Sequence, residues 1–459
     1  MLRAPSFFQV LVTSGLLALG ACGAEKEGSG FTPSGGKDTG TTTPGTDADD
    51  PDGASEDDGG LSVGDIGTPE TIGGCLGADP LDCDNDGYRA SDGDCNEKDG
   101  TINPDAYDFL EDGVDNDCDG TVDNPVTECA ATPGSTDPMQ FARAADLCTQ
   151  RSKSKKYGGT FDPVFKVEFG KISAGFGSST TKMEATKILS QFGDNKPRKG
   201  TTLFGMQSGP ILAEKPRESK PIDMLPVQNA CAAMGLKDAD CKSLTTGSSI
   251  PISASVQDFQ EVRMFIRVPS NAKAMVFDFA FFSTEFSEYW NSPFNDAFFA
   301  LVTSKKVAGL NVAKDSKGKA LTVNSGFFQL CPAPPGPAGL VKPEALSAAP
   351  CVGVDGAPAA TPPILGTLKK TFFDGEGIGS TDDTISAGGD AGTSKHIYGG
   401  GSGWLSTKFE VEPGESMVVR FMVHDTSDGA LDSAAIVDNI RWEQAKPKVP
   451  TGEVERPPM

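Results

Sequence analysis

The chain has 459 residues, with 64 acidic and 40 basic side chains, a formal net charge of −24 and a pI near 4.5. Its length exceeds what one hydrophobic core usually fills and predicts about two or three folded units. The negative charge argues against nucleic acid and anionic lipid as partners and favours cations. The 55 Gly and 33 Pro follow no period, which excludes a collagen and predicts a loop-rich, mostly β protein.

The first segment, residues 1–21, is predicted to be a lipoprotein signal peptide. An apolar run over residues 7–19 is too short to span a bilayer but matches the core of a signal peptide. It ends in Leu19-Gly20-Ala21-Cys22, which resembles a bacterial lipobox. The resemblance implies a lipid on Cys22 and, with Gly23 next, a place on the outer membrane or cell surface of a Gram-negative bacterium. The alternative is an ordinary signal peptide with a chance cysteine.

Residues 22–74 are predicted to be a disordered linker, because Gly, Ser, Thr, Pro and Asp leave almost no large apolar side chains to bury. Residues 1–124 carry 28 acidic and 5 basic side chains, whereas the remaining 335 residues carry 36 and 35. The negative charge therefore belongs to the linker and to the segment that follows it.

The cysteines are predicted to form disulfides. Eleven are present, and removing the lipidated Cys22 leaves an even number in an exported protein. There is no C-x-x-C, so neither thioredoxin chemistry nor a zinc ribbon is indicated. Proximity along the chain suggests the pairs Cys129–Cys148, Cys231–Cys241 and Cys331–Cys351.

Residues 75–125 form an Asp- and Cys-rich segment with two candidate calcium loops. Carboxylates at positions 1, 3 and 5 followed by Gly are what an EF-like loop needs, and hard oxygen ligands suit Ca²⁺. The first loop has Asp82, Asp84, Asp86 and Gly87, and the second has Asp115, Asp117, Asp119 and Gly120.

Neither loop has the Glu that an EF-hand carries at position 12. Each loop must therefore borrow oxygens, from Asp92 or Asp94 for the first and from Asp123 for the second. A Cys95–Cys118 bridge would hold the two halves together.

The stretch from Asp82 to Asp123 resembles the MopE-type metal-binding motif of bacterial surface proteins. The matching residues include Asp94-Cys95-Asn96, Asn103-Pro104-Asp105-Ala106 and the run from Asp115 to Gly120. The stretch lacks His and Met, so copper and zinc would find poor ligands, and Ca²⁺ is the predicted ion. The alternative is an acidic, solvated linker.

Residues 126–445 are predicted to form a jelly-roll-like β-sandwich with a few short helices, followed by a disordered tail at 446–459. Gly and Pro separate short segments of alternating or β-branched residues. The predicted strands are 165–169, 262–268, 275–282, 297–302, 327–330, 409–411, 417–424 and 435–442. Helical patterns occur at 141–148, 182–189 and 228–234.

Two parts of this region carry a second resemblance. One runs from Phe281 to Phe298 and contains Ser292-Pro293-Phe294-Asn295-Asp296; the other runs from His424 to Ile440. Together they are similar to the choice-of-anchor L domain of exported proteins. The resemblance implies a surface protein and brings no established reaction.

A second ligand site, for Ca²⁺ or carbohydrate, is predicted at one end of the sandwich, where loops collect. Its candidate residues are Glu285, Glu288, Asn295, Asp296 and Asp438. The alternative is that these side chains only shape turns and a bulge.

No catalytic residue is predicted. The chain has two histidines, His396 and His424, and contains no His-Glu-x-x-His, P-loop or dinucleotide motif. The favoured hypothesis is a non-catalytic surface lipoprotein that binds Ca²⁺ and uses its β-domain for adhesion to a glycan or protein. The alternatives are a glycan-active hydrolase, for which Glu285 and Glu288 would be the acidic pair, and a structural envelope component.

Overall fold

The computed structural model describes most of the chain beyond residue 80. The described residues are 81–123, 129–148, 150–151, 160–170, 185–209, 224–244, 255–285, 293–315, 317–324, 329–330, 352–353, 371, 373, 400–427 and 431–456. All of them belong to one unit, Glu70–Met459. The predicted signal peptide, Cys22 and the linker lie outside the described residues.

Strands dominate these ranges. They are β1 (Gln150–Arg151), β2 (Thr160–Phe161), β3 (Val164–Phe169), β4 (Thr186–Leu189), β5 (Leu203–Gln207), β6 (Met224–Pro226), β7 (Ser255–Arg267), β8 (Ala274–Ser283), β9 (Ala297–Thr303), β10 (Ala308–Asn311), β11 (Leu321–Thr322), β12 (Gln329–Leu330), β13 (Val352–Gly353), β14 (Gly400–Gly401), β15 (Leu405–Glu410), β16 (Ser416–Thr426), β17 (Ser433–Glu443) and β18 (Glu453–Glu455). The helices are α1 (Met139–Ala144), α2 (Val227–Met234) and α3 (Asp238–Leu244), with a 3₁₀ turn at Ala90–Asp92. The prediction of a mostly β protein with a few short helices is confirmed.

The long strands form two antiparallel sheets. The first sheet has the order β10-β9-β16-β7-β3, with β11 paired to β9 and β6 to β7. The second sheet has the order β18-β15-β8-β17-β5-β4, with β14 paired to β8. Neighbouring strands in each sheet are often far apart in sequence, so long-range contacts decide the arrangement.

The main core lies between the two sheets. Phe279 of the second sheet stacks on Phe298 of the first with ring centroids 4.9 Å apart. Phe277 meets Phe421 edge-on at 5.1 Å. All four side chains are fully buried, as is Phe281, so the alternating aromatic residues of β8 form the core that their spacing predicts.

The helices cover the sandwich. Phe141 of α1 lies 5.1 Å from Phe169 and 6.0 Å from Phe204, which closes the side where β3 and β5 approach each other. Met234 of α2 and Phe299 of β9 belong to a second buried cluster on the first sheet. Among the described residues, no helix is both long and apolar enough to cross a membrane.

Two sequence predictions about local structure are wrong. The tail at 446–459 is not wholly disordered, because β18 pairs with β15 and Val454 is buried there. The helical pattern at 182–189 contains a strand, β4, which pairs along its full length with β5. In both places a partner strand supplies hydrogen bonds that the local sequence does not reveal.

Candidate metal centre

The Asp-rich segment, described from residue 81 to 123, is a series of short loops. Its two Asp loops have the same hydrogen bonds at their first position. Asp82 Oδ2 accepts from the Gly87 amide at 3.1 Å, and Asp115 Oδ2 accepts from the Gly120 amide at 2.8 Å. Both glycines have a φ of 93°, a left-handed value that disfavours side chains. The two loops therefore close around their first carboxylate in the same way.

The third and fifth positions repeat as well. In the first loop, Asp84 Oδ1 accepts from the Asp86 amide at 3.3 Å, and Asp86 Oδ1 accepts from the Tyr88 amide at 2.8 Å. In the second loop, Asp117 and Asp119 accept from the amides two residues further on at 3.2 and 2.7 Å. In each loop, the three carboxylates each offer an oxygen within 4.8 Å of the others.

The first loop also holds oxygens that no protein group satisfies. The other oxygens of Asp82, Asp84 and Asp86 are buried without a hydrogen-bond partner, and so is Asp94 Oδ2. Asp94 uses its remaining oxygen to accept from the Asn96 amide at 2.8 Å. A buried acceptor without a partner costs about 1–3 kcal/mol, and more when it is charged. Each of these four carboxylates thus fixes the loop with one oxygen and leaves the second for a cation.

The charges of the first loop also favour a bound cation. Burial raises the pKa of Asp84, Asp86 and Asp94, that of Asp86 to about 7. Neighbouring carboxylates raise these pKa values further. Asp82 and Glu97 act on Asp84, Asp84 and Asp94 act on Asp86, and Glu97, Asp84 and Asp82 act on Asp94. These acids repel one another at neutral pH, and a bound cation would offset that repulsion.

The second loop is the weaker candidate. Asp115 uses both oxygens for loop amides, since its Oδ1 accepts from Asp119 at 3.0 Å and its Oδ2 from Gly120. Within the described residues, none of its three carboxylates has a buried oxygen lacking a hydrogen bond. The backbone of the second loop matches that of the first, but its three carboxylates lack the buried oxygens without a hydrogen bond that the first loop has.

Two other predicted ligands, Asp92 and Asp123, do not belong to either group of three carboxylates. Asp92 is exposed in the 3₁₀ turn. Asp123 Oδ1 accepts from the amides of Asp112 and Gly113, both at 3.2 Å, and so joins the end of the segment to an earlier turn. Of the alternatives for the first loop, Asp94 is buried and near enough to Asp82 and Asp84 to feel their charge, although it lies outside the group of three within 4.8 Å.

Disulfides tie the loops together. Cys95 and Cys118 are bonded with Cα atoms 5.6 Å apart, which joins the chain after Asp94 to the second loop. The predicted pairs Cys129–Cys148 and Cys231–Cys241 are also bonded. The predicted pair Cys331–Cys351 lies outside the described residues.

Sequence reasoning missed how the Asp-rich segment docks on the sandwich. Asn271, which follows β7, donates to the Tyr107 carbonyl and accepts from the Tyr107 amide, both at 2.8 Å. The Ser270 hydroxyl donates to the Asn103 side chain at 2.9 Å. Tyr107 and Phe109 also pack against the main core. An Asn in a loop carries no sequence signal for such a partner, because it is an ordinary turn residue.

The structure brings part of the predicted second ligand site to one end of the sandwich. Glu285, Asn295 and Asp296 are all buried at one end of the sandwich. Asp296 accepts from the Thr426 amide at 2.9 Å and from the Ser433 hydroxyl at 2.6 Å, so it links the two sheets internally. Glu288 lies outside the described residues.

Asp438 lies in a different group of charges. Its carboxylate accepts from the backbone amides of Arg198 and Asn439, and Asp146 lies near it. The adjacent Asp278 is paired with Arg198 at 3.3 Å and Arg441 at 3.2 Å. The arginines thus neutralise Asp278, while the partly buried Asp146 lies near the fully buried Asp438.

Replacing Asp146 by Asn should flatten the pH dependence of stability. Burial, and then the charge of Asp146, raise the pKa of Asp438 to about 8, and burial also raises that of Asp146 despite Lys199 nearby. The folded state therefore retains protons that the unfolded state has lost, so stability falls as pH rises from about 4 to about 8. Denaturant unfolding across this range should show a smaller fall in the free energy of unfolding for Asp146→Asn. An unchanged slope would contradict this assignment.

His424 is fully buried. Its ring stacks on Phe299 with centroids 5.9 Å apart, and Nδ1 lies 3.2 Å from the Asp425 carbonyl. Burial lowers the pKa of His424 to about 4, so the ring is neutral at physiological pH. The other histidine, His396, lies outside the described residues.

One comparison with known proteins gives a match. Residues 94–124 match the MopE copper-binding family model, whose description is "Putative metal-binding motif". The match spans Asp94, the Cys95–Cys118 bridge and the second loop, and it supports metal binding by this segment. No curated protein and no solved structure matches the chain significantly. The resemblance of the sandwich to the choice-of-anchor L domain stays a prediction.

Proposed function

We propose that the protein is a non-catalytic surface lipoprotein that binds Ca²⁺ through its first Asp loop and uses its sandwich for ligand binding or adhesion. The observation that carries the calcium proposal is the set of four buried carboxylate oxygens, from Asp82, Asp84, Asp86 and Asp94, that lack hydrogen bonds. Ca²⁺ takes six to eight oxygen ligands in flexible geometry, and waters complete the shell where the protein offers fewer.

Calcium fits these ligands better than copper does. The segment from residue 81 to 123 contains neither His nor Met, and its cysteines at 83, 95 and 118 are disulfide-bonded. Soft or nitrogen ligands of the kind copper prefers are therefore lacking from this segment, whereas hard carboxylates suit Ca²⁺. The copper in the name of the matching family model is not carried over to this chain.

Calorimetric titration of the full chain with Ca²⁺, Mg²⁺ and Cu²⁺ tests the proposal. Ca²⁺ should release or absorb heat at a saturable site and raise the melting temperature, because an ion that binds only the folded state stabilises it by about 2.7 kcal/mol at 100 times its Kd. Absence of both effects, or tighter binding of Cu²⁺ than of Ca²⁺, would overturn the calcium assignment.

The proposed location is the outer membrane, with Cys22 as the lipid anchor. The lipobox-like Leu19-Gly20-Ala21-Cys22 supports this proposal, and so do the disulfides, which persist in oxidising compartments. Mass spectrometry of the protein from membranes should find a lipid on Cys22 and a chain that begins there. An unmodified Cys22 would refute the anchor.

The non-catalytic proposal is supported by the burial of His424 and of Glu285, one member of the acidic pair that a glycan hydrolase would use. His424 is fully buried, and Glu285 is 1% exposed and so cannot meet a substrate without rearrangement. A glycan-hydrolysis screen of the parent and of Glu285→Gln distinguishes a non-catalytic protein from a glycan-active hydrolase. Turnover by the parent that the variant loses would favour the hydrolase.

A further inference from the structure

A cavity of about 300 Å³ lies where the Asp-rich segment meets the sandwich. Tyr107 and Leu110 come from the Asp-rich segment, and Asn439, Arg441 and Trp442 come from β17. The loop that follows α1 adds Asp146, and the loop before β5 adds Lys199. The volume is at the lower end of that of sites for small ligands, which are concave and combine apolar walls with a few polar groups.

The lining has the chemistry that recognises a saccharide. Tyr107, which is partly buried, supplies apolar ring surface with a polar edge, and Trp442, which is 5% exposed, adds a small part of its ring. Asp146 accepts hydrogen bonds from hydroxyls, and Lys199 and Arg441 donate them. A sugar presents both hydroxyl groups and apolar C–H faces, so it matches this mixture better than a purely apolar or a highly charged ligand does.

One wall of this cavity is connected to the first Asp loop through a short series of hydrogen bonds. The Tyr88 amide donates to Asp86 Oδ1 at 2.8 Å, and the Tyr88 hydroxyl donates to Asp105 Oδ2. Asn103 lies near the Asp86 carboxylate and accepts from the Asp105 amide at 3.0 Å. Asp105 precedes Tyr107 by two residues, so a change in the position of the first Asp loop would move the backbone that carries Tyr107 in the cavity wall.

The opposite side of the connection is fixed to the sandwich. Asn271 holds both backbone groups of Tyr107, and the Ser270 amide donates to the Asp105 carbonyl at 3.3 Å. Residues 103–107 therefore lie between an Asp loop whose carboxylates repel one another and a rigid edge of the sandwich. A cation that draws these carboxylates together would fix the loop end of this segment, whose Tyr107 end Asn271 already holds.

We propose that this cavity binds a saccharide and that Ca²⁺ at the first Asp loop is needed to form its wall. The inference rests on the proposed function and names the ligand class and the regulation of its ligand-binding role. Coupling between two such sites is reciprocal, and is typically about 5- to 150-fold in affinity. Removal of Ca²⁺ should weaken saccharide binding by a factor in this range.

A glycan array with the full chain, in Ca²⁺ and in chelator, tests the ligand class. Binding should occur in Ca²⁺ and fall with chelator. Lys199→Ala should lose it, whereas Lys196→Ala, which removes an exposed lysine outside the cavity lining, should keep it. If no saccharide binds, or if chelator or Lys199→Ala leaves binding unchanged, the inference is wrong, while calorimetric binding of Ca²⁺ would still support the proposed function.

Hydrogen exchange tests the connection without a ligand. Ca²⁺ should slow the exchange of amides at 105–110 and 439–442 in the parent. Tyr88→Phe removes only the hydroxyl that reaches Asp105, so it should retain the calorimetric response to Ca²⁺ and lose much of this protection. Equal protection in the parent and the variant, or no protection in the parent, would overturn the proposed connection.

Discussion

Asp94→Asn should lower the calcium affinity of the full chain at least tenfold, and Asp92→Asn should leave it unchanged. Asp94 is 6% exposed, and its Oδ2 lies buried without a partner beside the first Asp loop. Substituting even a group that only supports a metal ligand typically costs about 10- to 100-fold in affinity, so losing a direct charged ligand should cost no less. Calorimetric titration of both variants measures the difference.

The two substitutions form a matched pair. Both remove one negative charge from the same short segment, and both are isosteric. Asp92 is exposed in the 3₁₀ turn, so it controls for long-range electrostatics, which salt screens over about 10 Å. Equal losses of affinity in the two variants would mean that net charge, rather than ligation by Asp94, determines calcium binding.

Replacing both Cys95 and Cys118 by Ser should unfold the Asp-rich segment while the sandwich stays folded. The bridge joins residues 23 apart, and the chain-entropy model assigns about 3 kcal/mol to a loop of this length. Between residues 81 and 123 the structure contains no α-helix or strand, so the bridge opposes unfolding together with the Cys83 disulfide and the docking of residues 103–109 on the sandwich. The double variant should lose calcium binding and become sensitive to protease within 81–123.

Cys231 and Cys241 provide the control for this experiment. Their bridge joins α2 to α3 and lies on the first sheet, away from the Asp loops. The double Ser variant at these positions should keep the calcium affinity of the parent. Retained calcium affinity in the Cys95/Cys118 variant would show that the loops hold their geometry without the bridge.

The local order of the Asp loops could be predicted because the information is contiguous. The spacing of Asp82, Asp84 and Asp86 before Gly87 specifies which oxygen meets which amide, and the structure shows these bonds. The strands of the core could be predicted for a similar reason, since alternating Phe residues on β8 fit one buried face and the interior of a sandwich.

Spacing could not decide between Asp92 and Asp94 as the extra ligand of the first loop. The two carboxylates are two residues apart in a turn whose path depends on the Cys95–Cys118 bridge and on the Asn96 amide. Asp438 does not join Glu285, Asn295 and Asp296 for the same kind of reason. Strand pairing places Asp438 opposite Asp278, far along β17 from the strand end near Asp296.

The sequence by itself therefore determined the repeated Asp loops, three of the disulfide pairs and the mostly β class, since each depends on residues close together in the chain or on a periodic pattern. Only the tertiary structure decided which oxygens remain unsatisfied, that β4 and β18 are strands, and that Asn271 holds the Asp-rich segment against the sandwich. These features depend on contacts between residues up to 164 positions apart, and burial and long-range pairing leave no periodic signal in the local sequence.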